Sequence, residues 1–385
     1  MSSRKRNGSG SKRPNKGKVV QIYESFFRGE DPTEGNPNFW QEFFLLRPNI
    51  THLEGELQKL SGEQLAALKN CLNMLFAQCV DVLTDSHQIR VAVALQTLCV
   101  LIQGIYKKAA GECNFDVINV LVGFDTAEKL VPEMLERCST LLKGESSADV
   151  KALSLRLLLA LASGAENVSQ NAVLEYALGS ASQPVFEALV HTLHDPDTRS
   201  TLGHHSVLLL TLLVNYRKHE GANPFVVQLS ILDNELALNG YSQVITASLS
   251  DFCWQFATQH ADPQPGGWLS SFTSMVGAMF VSDEGACRTQ QVRTDMFATD
   301  KANNAVLLAL YEAVHLNRNF ITTLVHSQTE AVSSPPSPTA TLDGSARPPP
   351  SDLSLSSVAL AATAVAPPDL AAQPSNLLAT FIEYW

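Results

Sequence analysis

Five histidines gather between positions 191 and 219: His191, His194, His204, His205 and His219. His191 and His194 share a helix face at a spacing of three, which two metal ligands would need. No paired cysteine or carboxylate accompanies them at ligand spacing, so surface or loop-facing histidines fit better, and no metal site is expected. The seven cysteines (Cys71, Cys79, Cys99, Cys113, Cys138, Cys253, Cys287) form an odd set without a CxxC pair. Most fall within apolar helical patterns, where a free thiol behaves as a small hydrophobe, and a reducing cytosol suits them. The chain has no Walker A loop, GxSxG elbow, HExxH motif or GxGxxG after a strand. The expectation is therefore a protein that binds rather than turns over, with no catalytic residue and no cofactor.

Three stretches carry other chemistry. Between residues 268 and 280 (WLSSFTSMVGAMF), Trp268, Leu269, Phe272, Met275, Val276, Met279 and Phe280 form one helical stripe. The opposite face is Ser270, Ser271, Thr273, Ser274 and Gly277, with no charge at all. A strong stripe facing small hydroxyl residues suits insertion into a curved, weakly charged membrane interface, driven by apolar area. A core helix folded against the rest of the protein is the competing reading. Ser334-Pro335 and Ser337-Pro338 offer Ser334 and Ser337 to proline-directed kinases. Arg4, Lys5, Arg6, Lys12 and Arg13 make a basic arm that fits an anionic-lipid contact, a nuclear signal or a solvated tail.

The elements that must hold these residues are helices. Ser147 to Ser163 (SADVKALSLRLLLALAS) is apolar around almost its whole circumference and has to be buried on several sides. Similar stretches occur at Ser86 to Ile102, where Ile89-Arg90 aligns with Val150-Lys151 at an offset of 61, and at Ser206 to Asn215, offset by 52 from Ser154 to Ser163. Ala305 to Val314 follows at a further 99, close to two units. Offsets near fifty point to stacked helical repeats, slightly longer than the roughly 40 to 47 residues of HEAT and armadillo units. An irregular helical bundle is the alternative.

The predicted class is all-α: an armadillo/HEAT-like right-handed α-solenoid with a disordered N-terminal arm and a disordered C-terminal tail. The arm spans 1–18, the solenoid 19–328 with a flexible amphipathic insert at 262–300, a Ser/Pro/Ala-rich tail 329–375, and a short apolar segment 376–385. Helices are predicted over Lys18 to Arg28 and Asn38 to Arg47, whose aromatic residues would seal the end of the stack. A long helix follows a capping box at Ser61-Gly62-Glu63-Gln64. Others are expected over 115–122, 126–142, 147–163, 171–178, 184–193, 201–216, 224–238, 242–259 and, as one or two helices, 301–326. The last of these units would lack a cap and expose apolar surface. No uncharged apolar run reaches membrane-spanning length, Val91 to Tyr106 coming nearest. The opening MSSRKRNGSG lacks the apolar core of a secretory signal. Of the formal charge of −11, the arm contributes seven positive residues, leaving −18 on the remainder and excluding general nucleic-acid binding.

Three segments together resemble one family: KRPNKGKVVQIYESFFRGEDPTEGNPNFWQEFFLLRPN, VKALSLRLLLALASGAENVSQNAVLEYAL and WLSSFTSMVGAMF are similar to the armadillo-like helical domain-containing protein 3 family. The likeness runs from the N-terminus to about residue 380 and reads as close to identity. It implies a non-catalytic helical scaffold of the cytoplasm and the cytosolic face of the Golgi membrane. Its implied partners are phosphatidylinositol 4-kinase beta and the brefeldin-A-resistant Golgi guanine-nucleotide exchange factor for Arf GTPases, in support of Golgi organisation and secretion, with a possible peripheral membrane contact. Members of the family continue beyond this length, so the chain reads as a shortened or alternatively spliced form. A nuclear-transport type of helical-repeat adaptor using the basic arm is the alternative function. The membrane reading of the stripe has a direct test in flotation with small neutral vesicles. Trp268→Ala with Phe272→Ala is expected to abolish co-flotation, and unchanged binding would assign the stripe to the core.

Overall fold

The computed structural model describes residues 17–31, 33–34, 36–110, 116–165, 167–260 and 305–333. They form α1 (Lys18–Phe26), α2 (Phe39–Phe43), α3 (Ile50–Lys59), α4 (Gly62–Ala67), α5 (Lys69–Val82), α6 (Gln88–Ala109), α7 (Val117–Leu121), α8 (Phe124–Lys143) and α9 (Ala148–Ala162). Two 3₁₀ turns, Val168–Gln170 and Ala172–Leu178, lead to α10 (Ser182–His194), α11 (Pro196–Asn215), α12 (Pro224–Ile231) and α13 (Glu235–His260). After residues 261–304 come α14 (Ala305–Leu316) and α15 (Arg318–Ser333). No strand occurs among the described residues.

Two layers result. Helices α3, α6, α9, α11, α13 and α15 lie side by side in one, while α5, α8 and α10 pack behind α6, α9 and α11 in the other. Because α6, α9 and α11 each have neighbours on both flanks and behind, their near-continuous apolar surfaces are covered, and Leu157 and Leu209 are both buried. The offset of 52 holds residue by residue: Val150 and Leu202, Leu155 and Val207, Leu158 and Leu210, Leu161 and Leu213 are all buried. The pairing of α6 with α9 needs a correction of one residue. Ile89 is 61% exposed whereas Val150 is 1% exposed, and burial matches instead when Leu95, Leu98 and Leu101 stand for Leu155, Leu158 and Leu161.

Local chemistry decides most of the helix ends. At the capping box, the Gln64 amide donates to Ser61 Oγ at 3.3 Å and the Ser61 amide to Gln64 Oε1 at 2.9 Å. The long helix expected there is interrupted at Leu68 and becomes α4 and α5. Helix α11 starts at Pro196 rather than Thr201, because Asp195 accepts from the Thr198 amide at 3.2 Å and Pro196 takes the first helical position. The helix expected over 224–238 is cut at Leu232, which is extended. Asn234 restarts the chain by accepting from the Ala237 amide at 3.0 Å, and α13 absorbs the segment predicted as 242–259. The 171–178 helix is 3₁₀ rather than α, and α15 runs past the expected boundary at 328 to Ser333.

Helix α6 is 22 residues long and contains a stretch of mean hydropathy 1.6, enough by length and composition to cross a membrane, while its uncharged run stays bounded by Arg90 and Lys107 as expected. Of that stretch 72% is buried, as befits a core helix of the stack. At the N-terminal end, Phe26, Phe39, Phe43 and Phe44 are buried, with Trp40 stacked among them and Tyr23 joining the cluster edge-on to Phe43 at 6.2 Å. At the other end Leu308 is 40% exposed where its counterpart Leu209 is 1%, and Tyr311, Val314 and Ile321 are exposed with it.

One ion pair fixes that last helical pair. Glu312 on α14 is 3% exposed and is bonded to Lys218, in the turn after α11. Removing one partner of such a pair leaves an uncompensated charge in the core. Lys218→Met is expected to lower unfolding stability by about 3–5 kcal/mol in urea titration, and adding Glu312→Leu should recover most of the loss.

Candidate interaction surface

The inner helices end inside the protein, and the last carbonyls of an α-helix have no partner within it. Three buried asparagines supply donors. Asn171 Nδ2 donates to the carbonyls of Leu161 at 2.6 Å and Ala162 at 3.4 Å, closing α9. Asn223 Nδ2 repeats this on α11, donating to Leu213 at 2.7 Å, Val214 at 3.2 Å and Tyr216 at 2.9 Å. Asn317 Nδ2 reaches the carbonyls of Leu229 at 2.6 Å and Leu232 at 2.8 Å at the end of α12. Their side-chain oxygens are used as well: Asn171 accepts from Tyr106 Oη at 2.6 Å, Asn223 from the Phe225 amide at 2.8 Å and Asn317 from the Phe320 amide at 2.8 Å.

A cleft of about 470 Å³ opens beside the first of these clamps, between the C-terminal end of α6, the start of α7 and the turns after α9. Several of its polar groups are tied into the surrounding loops. Tyr106 and Asn171 bind each other, Asp116 caps α7 through the Asn119 amide at 2.9 Å, and Asn167 accepts from the Ser169 amide at 3.0 Å. Burial raises the Tyr106 phenol, leaving it neutral. These groups hold loops together and point to no reaction.

A smaller groove of about 200 Å³ differs. It lies on the solvent side of the inner layer and is lined by Ile50 and Glu54 from α3, Gln96, Cys99, Val100 and Gln103 from α6, and Leu153 and Arg156 from α9. Ile50, Leu153 and Val100 give an aliphatic lining. Glu54 and Arg156 stand exposed on opposite flanks, with exposed Gln103 and half-buried Gln96 between them. The Cys99 thiol is pushed up to about 12 by burial, against a small opposing pull from the Arg156 guanidinium, so it is a hydrophobe here and no nucleophile.

The predicted site residues are distributed differently. The histidines do not converge: His191, His194, His205 and His219 are exposed. His194 Nδ1 meets Asn234 Oδ1 at 3.3 Å, and His204 Nδ1 meets Ser248 Oγ at 3.0 Å. Burial, then the neighbouring His205, lowers the His204 pKa. Among the described residues no group of three His, Cys, Asp or Glu could hold a metal ion. The membrane-insertion stripe 268–280, Ser334, Ser337 and the basic arm from Arg4 to Arg13 lie outside the described residues, as do Cys113 and Cys287. Cys79 and Cys138 are buried, and burial raises both thiols. The asparagine clamps were missed from sequence. Carrying the offset of 52 past the end of the greasy helix would have found two of them, because it superposes Asn171 on Asn223.

Stacked helical pairs closed by these clamps define an armadillo-like helical protein. Over 383 residues, 98% of its length, the chain is 44% identical to human armadillo-like helical domain-containing protein 3 and 43% identical to the proteins of the same name from Danio rerio and Xenopus laevis. The relationship is thus chain-long but well short of the near-identity expected from sequence. The chain spans about half the length of these relatives, covering 53% of each. No family model matches the chain, and no solved structure does. Asn171→Ala and Asn223→Ala are each expected to cost about 1–3 kcal/mol in urea unfolding, because buried carbonyls lose their donors.

Proposed function

We propose that the chain is a non-catalytic scaffold that acts at the cytosolic face of the Golgi membrane. It holds phosphatidylinositol 4-kinase beta and helps recruit the brefeldin-A-resistant exchange factor for Arf GTPases, so supporting Golgi organisation and secretion. The observation that carries this reading is the 44% identity over 98% of the chain to human armadillo-like helical domain-containing protein 3. Two physical features support it. In the larger cleft Tyr106, Asn171 and Asn167 are tied into loop geometry rather than set out toward a reacting group. The stack also presents a groove across three successive helices, a surface suited to gripping rather than reacting. Because the relatives are nearly twice as long, partner binding by this chain is tested on the chain itself.

The experiment is affinity capture from cells expressing the tagged chain beside the tagged human relative, scored by immunoblot for the lipid kinase and the exchange factor. Capture of both by both baits is expected. Capture by the human relative alone would overturn the reading for this chain.

A further inference from the structure

The last described pair of helices leaves an apolar face open. Each earlier inner helix is flanked by the one that follows it, whereas α15 packs back on α13 and no described helix follows it. Along α14, Leu308, Tyr311 and Val314 recur every three residues on the solvent side, and Ile321 is exposed on α15. Val306, Ala309 and Ala313 on α14 and Phe320 on α15 are buried, so the exposed residues stand on a packed base. The Tyr311 ring lies nearly parallel to the His315 ring, with 5.5 Å between centroids and 6° between planes, which fixes its orientation and leaves it exposed. Glu312, the one charged residue between Leu308 and Val314, turns inward to Lys218, so the open row carries no charge.

The chain itself carries a counterpart. At helical spacing, Leu377, Leu378, Phe381, Ile382 and Trp385 fall on one side of residues 376–385, and Asn376, Thr380 and Glu383 on the other. A helix over those residues would measure about 15 Å against about 18 Å for α14, so the two apolar rows match in length. The connection through 334–375 is long enough, since a coil of about 42 residues has an average span of roughly 35 Å, several times the separation of packed helices. A tethered segment also meets its site at an effective concentration on the order of millimolar, an advantage that a second copy of the chain lacks. We propose that residues 376–385 dock as a helix on the open face of α14 and α15, laying their apolar side over Leu308, Tyr311, Val314 and Ile321. The stack thereby gains a further helix from beyond the Pro-rich stretch, independently of which partners the scaffold holds.

Hydrogen exchange of the full chain, read peptide by peptide in a mass spectrometer, tests the docking. The amides of 376–385 are expected to exchange at least tenfold more slowly than those of 334–375. Leu308→Ser with Tyr311→Ser changes only exposed side chains, and unaltered protection of α9 and α13 would verify that the variant folds. In it, 376–385 is expected to exchange as fast as 334–375. From the other side, Phe381→Ser with Ile382→Ser leaves every described helix untouched and is expected to raise binding of the dye ANS, a reporter of exposed apolar surface, at least twofold. Fast exchange of 376–385 in the wild type would overturn the inference, as would protection that survives Leu308→Ser with Tyr311→Ser, or ANS binding unchanged by the tail variant. Protection that fades on tenfold dilution, alongside a dimer mass in light scattering, would give the face to a second copy instead. Loss of protection in 268–280 rather than 376–385 on changing the face would give it to that segment and overturn the inference equally.

Discussion

A helix that is apolar on nearly every side solves one problem and creates another. Its side chains find cover between neighbours, yet its final carbonyls end where no water reaches them, and a buried carbonyl without a donor costs as much as a lost hydrogen bond. Asn171 and Asn223 answer that constraint on α9 and α11, and Asn317 closes the end of α12 in the same way. Each amide nitrogen closes one element while the oxygen anchors or starts another, so a single side chain sets the path of the connection as well as its stability. The turns, the larger cleft and the entry of the next helix all follow from where these amides sit.

With the carbonyls satisfied, the inner layer can be almost wholly aliphatic, and its solvent side becomes the place where composition is free to vary. On α6, α9 and α11 the equivalent solvent-side positions are Gln96, Arg156 and Leu208, with Leu208 half-buried. The backbone framework repeats while the chemistry along it changes from amide to cation to aliphatic. A surface built in this way can discriminate among partners without any change in the fold beneath it.

The layered class was legible because burying Leu155, Leu157, Leu158 and Leu161 together leaves a helix no option but an interior position, and the offset of 52 transfers that burial to Val207, Leu209, Leu210 and Leu213. The aromatic cluster at the start was legible for the same reason, since Phe26, Phe39 and Phe43 have no polar alternative. Helix ends were harder. Leu232 breaks a helical pattern that reads as continuous over 224–238, and the cap at Asn234 explains why. The clamps were hidden because an asparagine between helices reads as a turn residue, and nothing in its letter says that it faces inward. The groove depends on the rotation of α3 and α9 about their axes, which a one-residue slip such as the one between Ile89 and Val150 is enough to spoil.

The buried bond between Lys218 and Glu312 joins positions on either side of residues 261–304. Together with Tyr241 Oη donating to the Ala309 carbonyl at 3.0 Å and Asn317 gripping the end of α12, it holds the last helices by lateral contact. The covalent link through 261–304 is then not what keeps them in place. The seam between the helices before that stretch and the last two is thus written in side chains nearly a hundred residues from their partners, Lys218 with Glu312 and Asn317 with Leu229 and Leu232.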